Sequence, residues 1–415
     1  MAIPSLAMIP SGYKDGKVYS VLPSNGDGDF TFSRGSNATR VNKDGLIETV
    51  TGDTPRLDYS DGSCPSLLLE PQSTNIIANS NFQSGWSLLS GGGFIYNQSI
   101  SPDGTQNAVT LTGDGSASNA TYIGVSVADE TSYAFSVFVK PILATSFQMI
   151  GFSVEAGGYV KFDLSNGIVS TESSDDLSSA KIEDYGNGWY RCSVIATADA
   201  TGTALFGFNS ELNINGNNFY IYGAQFEVGS FPTSYIPTNG ATATRLADVC
   251  NDAGTSDTFN DSEGVLMAEI SALVDDADTL RWINLNDGGT SNRVAFYYRT
   301  DENQLTYLVS SGSTQVFSTV TLSSASSFNK IAAKYKQNDF SLWINGYELI
   351  TDTSGNTPIG LNEISFDNAV GGDNFYGNTK QIQYYDSALT DSELEELTSW
   401  ESFLEMAAGQ NYTIK

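Results

Sequence analysis

The chain has 415 residues, 48 acidic against 19 basic for a formal net charge of −29, and no histidine. So negative a surface repels a phosphate backbone or an anionic bilayer, which argues against nucleic-acid partners and membrane insertion. Without histidine there is no Ser-His-Asp or Cys-His nucleophile pair, no His-bound zinc and no histidine pH switch.

The length exceeds what one core supports, so two or three domains are expected. Hydrophobic residues at 40% can fill those cores, while only 16% of residues are charged, leaving Ser, Thr, Asn and Gly to build the surface. That mixture suits turn-rich β-sandwiches. The acidity is spread without long runs and fits solubility, calcium, or neutral and cationic glycans.

The N-terminal stretch lacks a basic start and is broken by Pro4 and Pro10, so it does not read as a signal peptide. No apolar run is long enough to cross a bilayer. Residues 1–75 are loop-rich, with turns at Asn25-Gly26 and Asp44-Gly45 and short strands at 29–33 and 46–50. They are read as an anchoring segment that packs on a partner chain or on the next domain. Residues 76–245 alternate apolar and polar positions at 132–140, 159–163 and 189–195, with turns at 157–158, 165–167 and 186–188, the rhythm of a first sandwich. Residues 246–262 are polar and short-sided and read as a linker. Residues 263–415 resume the strand rhythm at 264–270, 293–299, 304–309, 330–335, 340–344 and 381–385, with a hairpin signal at Asn345-Gly346. One helix is expected near the end. Thr390 and Glu393 form a capping box, Leu394, Leu397, Trp400 and Leu404 follow at helical spacing, and Gly409 stops it.

Three stretches carry a resemblance. The pattern FxRxSxATRVNxxGLIE runs from Phe32 to Glu48, followed by Pro55-Arg56-Leu57-Asp58-Tyr59. It resembles the N-terminal region of tail-fibre and head-fibre proteins of tailed bacteriophages. Gly188-Trp189-Tyr190-Arg191-Cys192, with Tyr222 to Glu227 and Thr233 to Thr238, is similar to a carbohydrate-binding-module-like sandwich that follows in such proteins. Residues 364–400 look like the end of a laminin-G or concanavalin-like lectin domain. The resemblance implies an all-β chain of two β-sandwich (jelly-roll or concanavalin-like) domains after an N-terminal anchor. It also implies a non-enzymatic fibre or spike subunit at the virion surface, made in the host bacterial cytoplasm, trimeric, contacting other virion proteins and binding host-surface polysaccharide. The alternative from a different class is a capsid decoration, head-fibre or tail protein with no ligand. A depolymerising tailspike would need two converging carboxylates, and the repeats of a β-helix, the usual carrier of its groove, are absent.

Glycan recognition needs flat apolar faces beside amides, hydroxyls or carboxylates. Trp282, Tyr297, Tyr298, Tyr307, Phe375 and Tyr376 are the candidate platforms, set against the ordinary expectation that most are core. Because strand residues alternate, one of Tyr297 and Tyr298 should face inward. Asp367 and Asp373, with Asp275-Asp276-Ala277-Asp278 as a second cluster, could ligate calcium or simply be solvated turns. Arg34 and Arg40 are read as bidentate donors for virion attachment or an interface, the alternative being packing within the chain against Glu48 or Asp58. Cys64, Cys192 and Cys250 are odd in number and far apart, so free thiols are expected.

Overall fold

The computed structural model describes residues 2–400 apart from 63, 89–91, 116–119, 153–156, 174–176, 211–214 and 276–278. It is almost wholly β, in antiparallel sheets, with one short helix. The chain separates into two compact units. Unit 1 takes Met1–Gly35, Thr51–Pro71 and Ala247–Lys415, and unit 2 takes Ser36–Val50 and Gln72–Leu246.

Unit 1 is built on an eight-stranded and a five-stranded sheet. The larger sheet runs Tyr347–Asp352, Phe340–Ile344, Asn329–Lys336, Glu263–Ala272, Gly377–Tyr385, Ser66–Leu69 and Arg56–Asp58, with Leu6–Met8 also paired to Gly377–Tyr385. The smaller runs Thr314–Thr321, Gln304–Ser311, Asn292–Tyr298, Arg281–Asn286 and Glu363–Ser365. Alternate residues of each sheet meet in one core: Ile283, Phe296, Tyr298 and Tyr307 from the smaller, Leu266, Ile331, Leu342 and Ile382 from the larger. That is the arrangement of a sandwich. The other face of the larger sheet carries Val265, Met267 and Trp343, which pack against Leu394 and Leu397 of the helix.

The helix, Asp391–Thr398, starts where the capping box places it: Thr390 accepts from the Glu393 amide and Glu393 reaches back to the Thr390 amide. It ends earlier than the apolar spacing implies. Ser399 is already extended, with its amide and hydroxyl both bonded to the Glu395 carbonyl. Trp400 therefore lies beyond the helix, where the Lys330 ammonium sits 4.6 Å from its ring centroid. Leu404 and Gly409 fall outside the described residues.

Unit 2 pairs two six-stranded sheets. One contains Ala120–Val127, Gly202–Ser210 and Ser146–Phe152; the other contains Ala108–Asp114, Asn215–Val228, Ser132–Pro141 and Tyr190–Thr197. Between them lies an aromatic core in which Phe206 and Phe226 sit 4.6 Å apart and Tyr133 stacks on Phe226 at 5.0 Å. Each fully buried phenylalanine is worth about 2–3 kcal/mol of apolar transfer. Gly207 is required where the strands Ala120–Val127 and Gly202–Ser210 meet, since a Cβ there would lie 1.9 Å from the Thr121 carbonyl oxygen.

Three sequence expectations are redrawn. Residues 1–75 are distributed over both units, and the strands Leu6–Met8, Arg56–Asp58 and Ser66–Leu69 complete the larger sheet of unit 1. The stretch 246–262, read as a linker for its small polar residues, contains the strand Val249–Asn251 and the buried Asp248, Cys250 and Phe259. Gly157 and Gly158, read as a turn, open the strand Gly157–Asp163.

Candidate functional site

The core-facing residues of the five-stranded sheet fix which residues face out. With Ile283, Val294, Phe296 and Tyr298 turned inward, Trp282, Arg293, Tyr297 and Leu308 emerge on the opposite face. Trp282 and Tyr297 are register partners on adjacent strands, and their rings stack at 3.8 Å with planes 19° apart. Ala295 and Leu308 complete a small apolar cluster around them. The Arg293 guanidinium lies 4.7 Å from the Trp282 ring centroid, a cation–π contact.

These side chains line an open depression of about 390 Å³, together with Ser291, Ser310, Ser313, Thr290, Thr314 and Phe317. Phe317 is 57% exposed. It belongs to Thr314–Thr321, where Val316 is buried and its neighbours are not. The lining holds one cation, five Ser and Thr hydroxyls and no carboxylate.

Arg293 is half-buried, and desolvation, opposed by Tyr297, holds its pKa below the ordinary arginine value. It donates from Nη1 to the Asn368 carbonyl at 3.1 Å, while its buried Nε has no acceptor. The Trp282 indole N–H is also without an acceptor. Neighbouring Asn284, fully buried, has neither amide atom satisfied. Buried polar atoms are normally paired, so such a concentration on one sheet face is unusual.

Of the six aromatic candidates, the structure brings Trp282 and Tyr297 together on this face, 6% and 5% exposed. The others go elsewhere. Tyr298 and Tyr307 have the opposite strand parity and lie in the core, Tyr307 donating to the Lys334 carbonyl at 2.6 Å. Phe375 is buried against Phe366, with ring centroids 5.8 Å apart. Tyr376 is partly buried against the same core. Arg293 and Phe317 were missed in the sequence because aromatic clusters and carboxylates drew attention. The signal for Phe317 was there, in the alternation of Thr-Gln-Val-Phe-Ser-Thr-Val-Thr at 314–321.

Asp367 is buried, and its carboxylate accepts from Asn251, the Ser365 hydroxyl and the Ala369 amide. Asp373 is exposed and accepts from Asn368 Nδ2 at 3.1 Å. Both carboxylates are thus engaged in hydrogen bonds that fix the loop before Phe375. Asp275 accepts from Ser324 and the Ser326 amide, and Asp276 and Asp278 lie outside the described residues. Among the described residues no group of three or more Cys, Asp or Glu could hold a metal ion together. Nor is any helix among them long and apolar enough to cross a membrane.

The motif arginines serve their own units. Arg34, its side chain wholly buried, donates to Asp248 at 3.0 Å and to the Thr51 and Thr54 carbonyls. Asp248 also binds Arg56, which in turn binds Glu70. For Arg34 the two readings are an attachment surface or packing within the chain against Glu48 or Asp58; its buried side chain is packed within the chain, on Asp248. Arg40 pairs with Glu48 at 2.7 Å across its hairpin, as the intrachain alternative has it.

The three motifs of unit 2 form one network. Arg191 donates to the Thr233 carbonyl at 2.7 Å and to Ser136, Gln225 accepts from the Ile236 amide at 2.6 Å, and Glu227 accepts from the Thr233 amide and hydroxyl. The Trp189 indole donates to the Ile100 carbonyl at 3.2 Å. The motif residues clamp the 233–238 segment onto the sheet. Their work is structural.

No family model matches the chain, and no curated protein matches it. Solved structures similar to it include the CBM40 of the Ruminococcus gnavus IT-sialidase bound to α2,3-sialyllactose, 16% identical over 34% of this chain and 84% of that one, with a TM-score of 0.29. Domain 4 of AbnA, a GH43 extracellular arabinanase from Geobacillus stearothermophilus in complex with arabinotriose, is 11% identical over 40% of this chain and 81% of that one, TM-score 0.30. The mouse laminin α1 chain domains LG4-5 are 10% identical over 72% of this chain and 93% of that one, TM-score 0.24.

Proposed function

We propose that this chain binds glycan without catalysis, through the outer face of the five-stranded sheet of unit 1. One observation carries the reading. A stacked Trp282–Tyr297 pair and an exposed Phe317 line an open depression of about 390 Å³ beside five Ser and Thr hydroxyls. Sugar C–H faces pack on aromatic carbon, and sugar hydroxyls pair with small polar groups. The lining offers no pair of carboxylates for glycoside hydrolysis, which is why the reading is non-catalytic.

The resemblance of Phe32 to Glu48 to phage fibre proteins extends the proposal to a fibre or spike subunit at the virion surface, trimeric and attaching to host polysaccharide through many weak sites. Calcium, if it takes part, would act on the 367–373 loop, whose Asn368 carbonyl holds Arg293.

A glycan array probed with the full chain, with calcium and with chelator, tests this. Saturable binding to a defined sugar class, weakened about tenfold or more by Phe317→Ala, is the expected result. A folded chain that binds nothing in either condition would sink the reading and leave a structural virion component.

A further inference from the structure

We infer that the depression on unit 1 selects acidic sugars, those bearing a carboxylate, with Arg293 as the residue that reads the charge; this rests on the glycan-binding proposal above. The net charge alone points the other way, toward neutral or cationic ligands. Local geometry decides against it, because exposed charges beyond about 8 Å are screened at physiological salt whereas a half-desolvated one acts at contact.

Arg293 is the lone charged residue among the lining residues. Asp287, next to Asn286, the register partner of Arg293, accepts from Asn292 at 2.9 Å, and Asp373 accepts from Asn368. No carboxylate is bonded to Arg293 among the described residues, and the Asn368 carbonyl takes only Nη1. Nε is buried without an acceptor, and among the described residues Nη2 has no hydrogen-bond acceptor. Elsewhere in unit 1 the buried Arg34 and Arg56 are each matched to carboxylates. A guanidinium 4.7 Å from an indole ring, half-desolvated and matched to no carboxylate among the described residues, is an incomplete ion pair. A ligand carboxylate completes it with a charge-assisted bond, and the planar fork suits carboxylate geometry better than an ammonium does. The sugar ring would then rest against the exposed Phe317 at the edge of the Trp282–Tyr297 stack, with Ser291, Ser310 and Ser313 near its hydroxyls.

The test uses the full chain at about 0.15 M salt, with binding measured by calorimetry. The probes are an oligogalacturonate, its carboxyl-reduced counterpart, sialyllactose and lactose. Each acidic probe should bind at least about tenfold tighter than its neutral counterpart. Arg293→Gln should abolish that preference, Arg293→Lys should restore part of it, and Phe317→Ala should weaken acidic and neutral probes alike. Circular dichroism of each variant shows that it is folded. Equal binding of acidic and neutral probes, or a preference surviving in a folded Arg293→Gln, would overturn the inference while leaving the glycan reading standing. Binding of no probe by the wild-type chain would overturn both.

Discussion

Asp248→Asn probes how unit 1 holds its N-terminal strands. The wild-type carboxylate is fully buried and accepts from Arg34 Nη1 at 3.0 Å, from Arg56, and from the Glu70 amide at 2.8 Å. Two arginines there face two carboxylates, Asp248 and Glu70, so the buried charge is balanced. Asparagine keeps the shape and one acceptor oxygen, so packing is little changed. It removes one negative charge and leaves a buried positive excess. Breaking a buried pair on one side costs about 3–5 kcal/mol. At a urea m-value of about 3 kcal/mol/M the midpoint for unit 1 falls by about 1–1.7 M. Urea titration with hydrogen exchange measures this, and amides of unit 2 serve as the control. Adding Arg34→Met to Asp248→Asn should recover part of the loss by restoring the balance. A midpoint moving less than about 0.3 M, or strict additivity of the two changes, would refute the argument that the cluster acts as one balanced unit.

Two further outcomes are expected. The native chain should react quickly with a thiol reagent at Cys64 alone, because Cys64 is exposed while Cys192 and Cys250 are buried with thiols pushed well up by desolvation. All three should react in denaturant, and a second fast thiol in the native state would contradict the packing. Burial first, then Asp252 and Asp367, raises the Glu363 carboxyl above its ordinary value. The folded chain therefore binds that proton more tightly than the unfolded one, and stability falls as pH rises through the ordinary and then the raised value. Glu363→Gln should remove that loss, so its gain in melting temperature over wild type should grow from about pH 4 to neutral; a gain constant with pH would show the group is not coupled to folding.

Local rules made much of the fold legible. Alternation at 132–140 became Ser132–Pro141, Asn345-Gly346 turns between Phe340–Ile344 and Tyr347–Asp352, and the Thr390–Glu393 box starts the helix. Parity also separated Tyr297 from Tyr298, sending Tyr298 to the core. Parity could not tell that Tyr297 would be covered by its stack on Trp282, since that depends on which strand lies next to it. Arg34 and Asp248 are 214 positions apart, and nothing local to either names the other. The same holds for Leu6–Met8 beside Gly377–Tyr385. Those pairings come from tertiary assembly, so a tidy division at residues 75 and 245 was the natural reading of a chain that in fact crosses between units.

That crossing sets an order of events during synthesis. Unit 2 is encoded wholly within residues 36–246, inside the bounds of unit 1, and has all its strands once Leu246 has left the ribosome. Unit 1 must wait. Gly377–Tyr385 lies between Glu263–Ala272 and Ser66–Leu69 and also receives Leu6–Met8, so the larger sheet of unit 1 cannot close until that strand emerges. Until then the N-terminal strands have unpaired edges and uncovered apolar faces, the state most open to pairing with another nascent chain. A nascent chain halted before residue 377 should therefore carry a protease-resistant unit 2 and a protease-sensitive start, and a chain truncated from the N-terminus would lack strands that unit 1 needs.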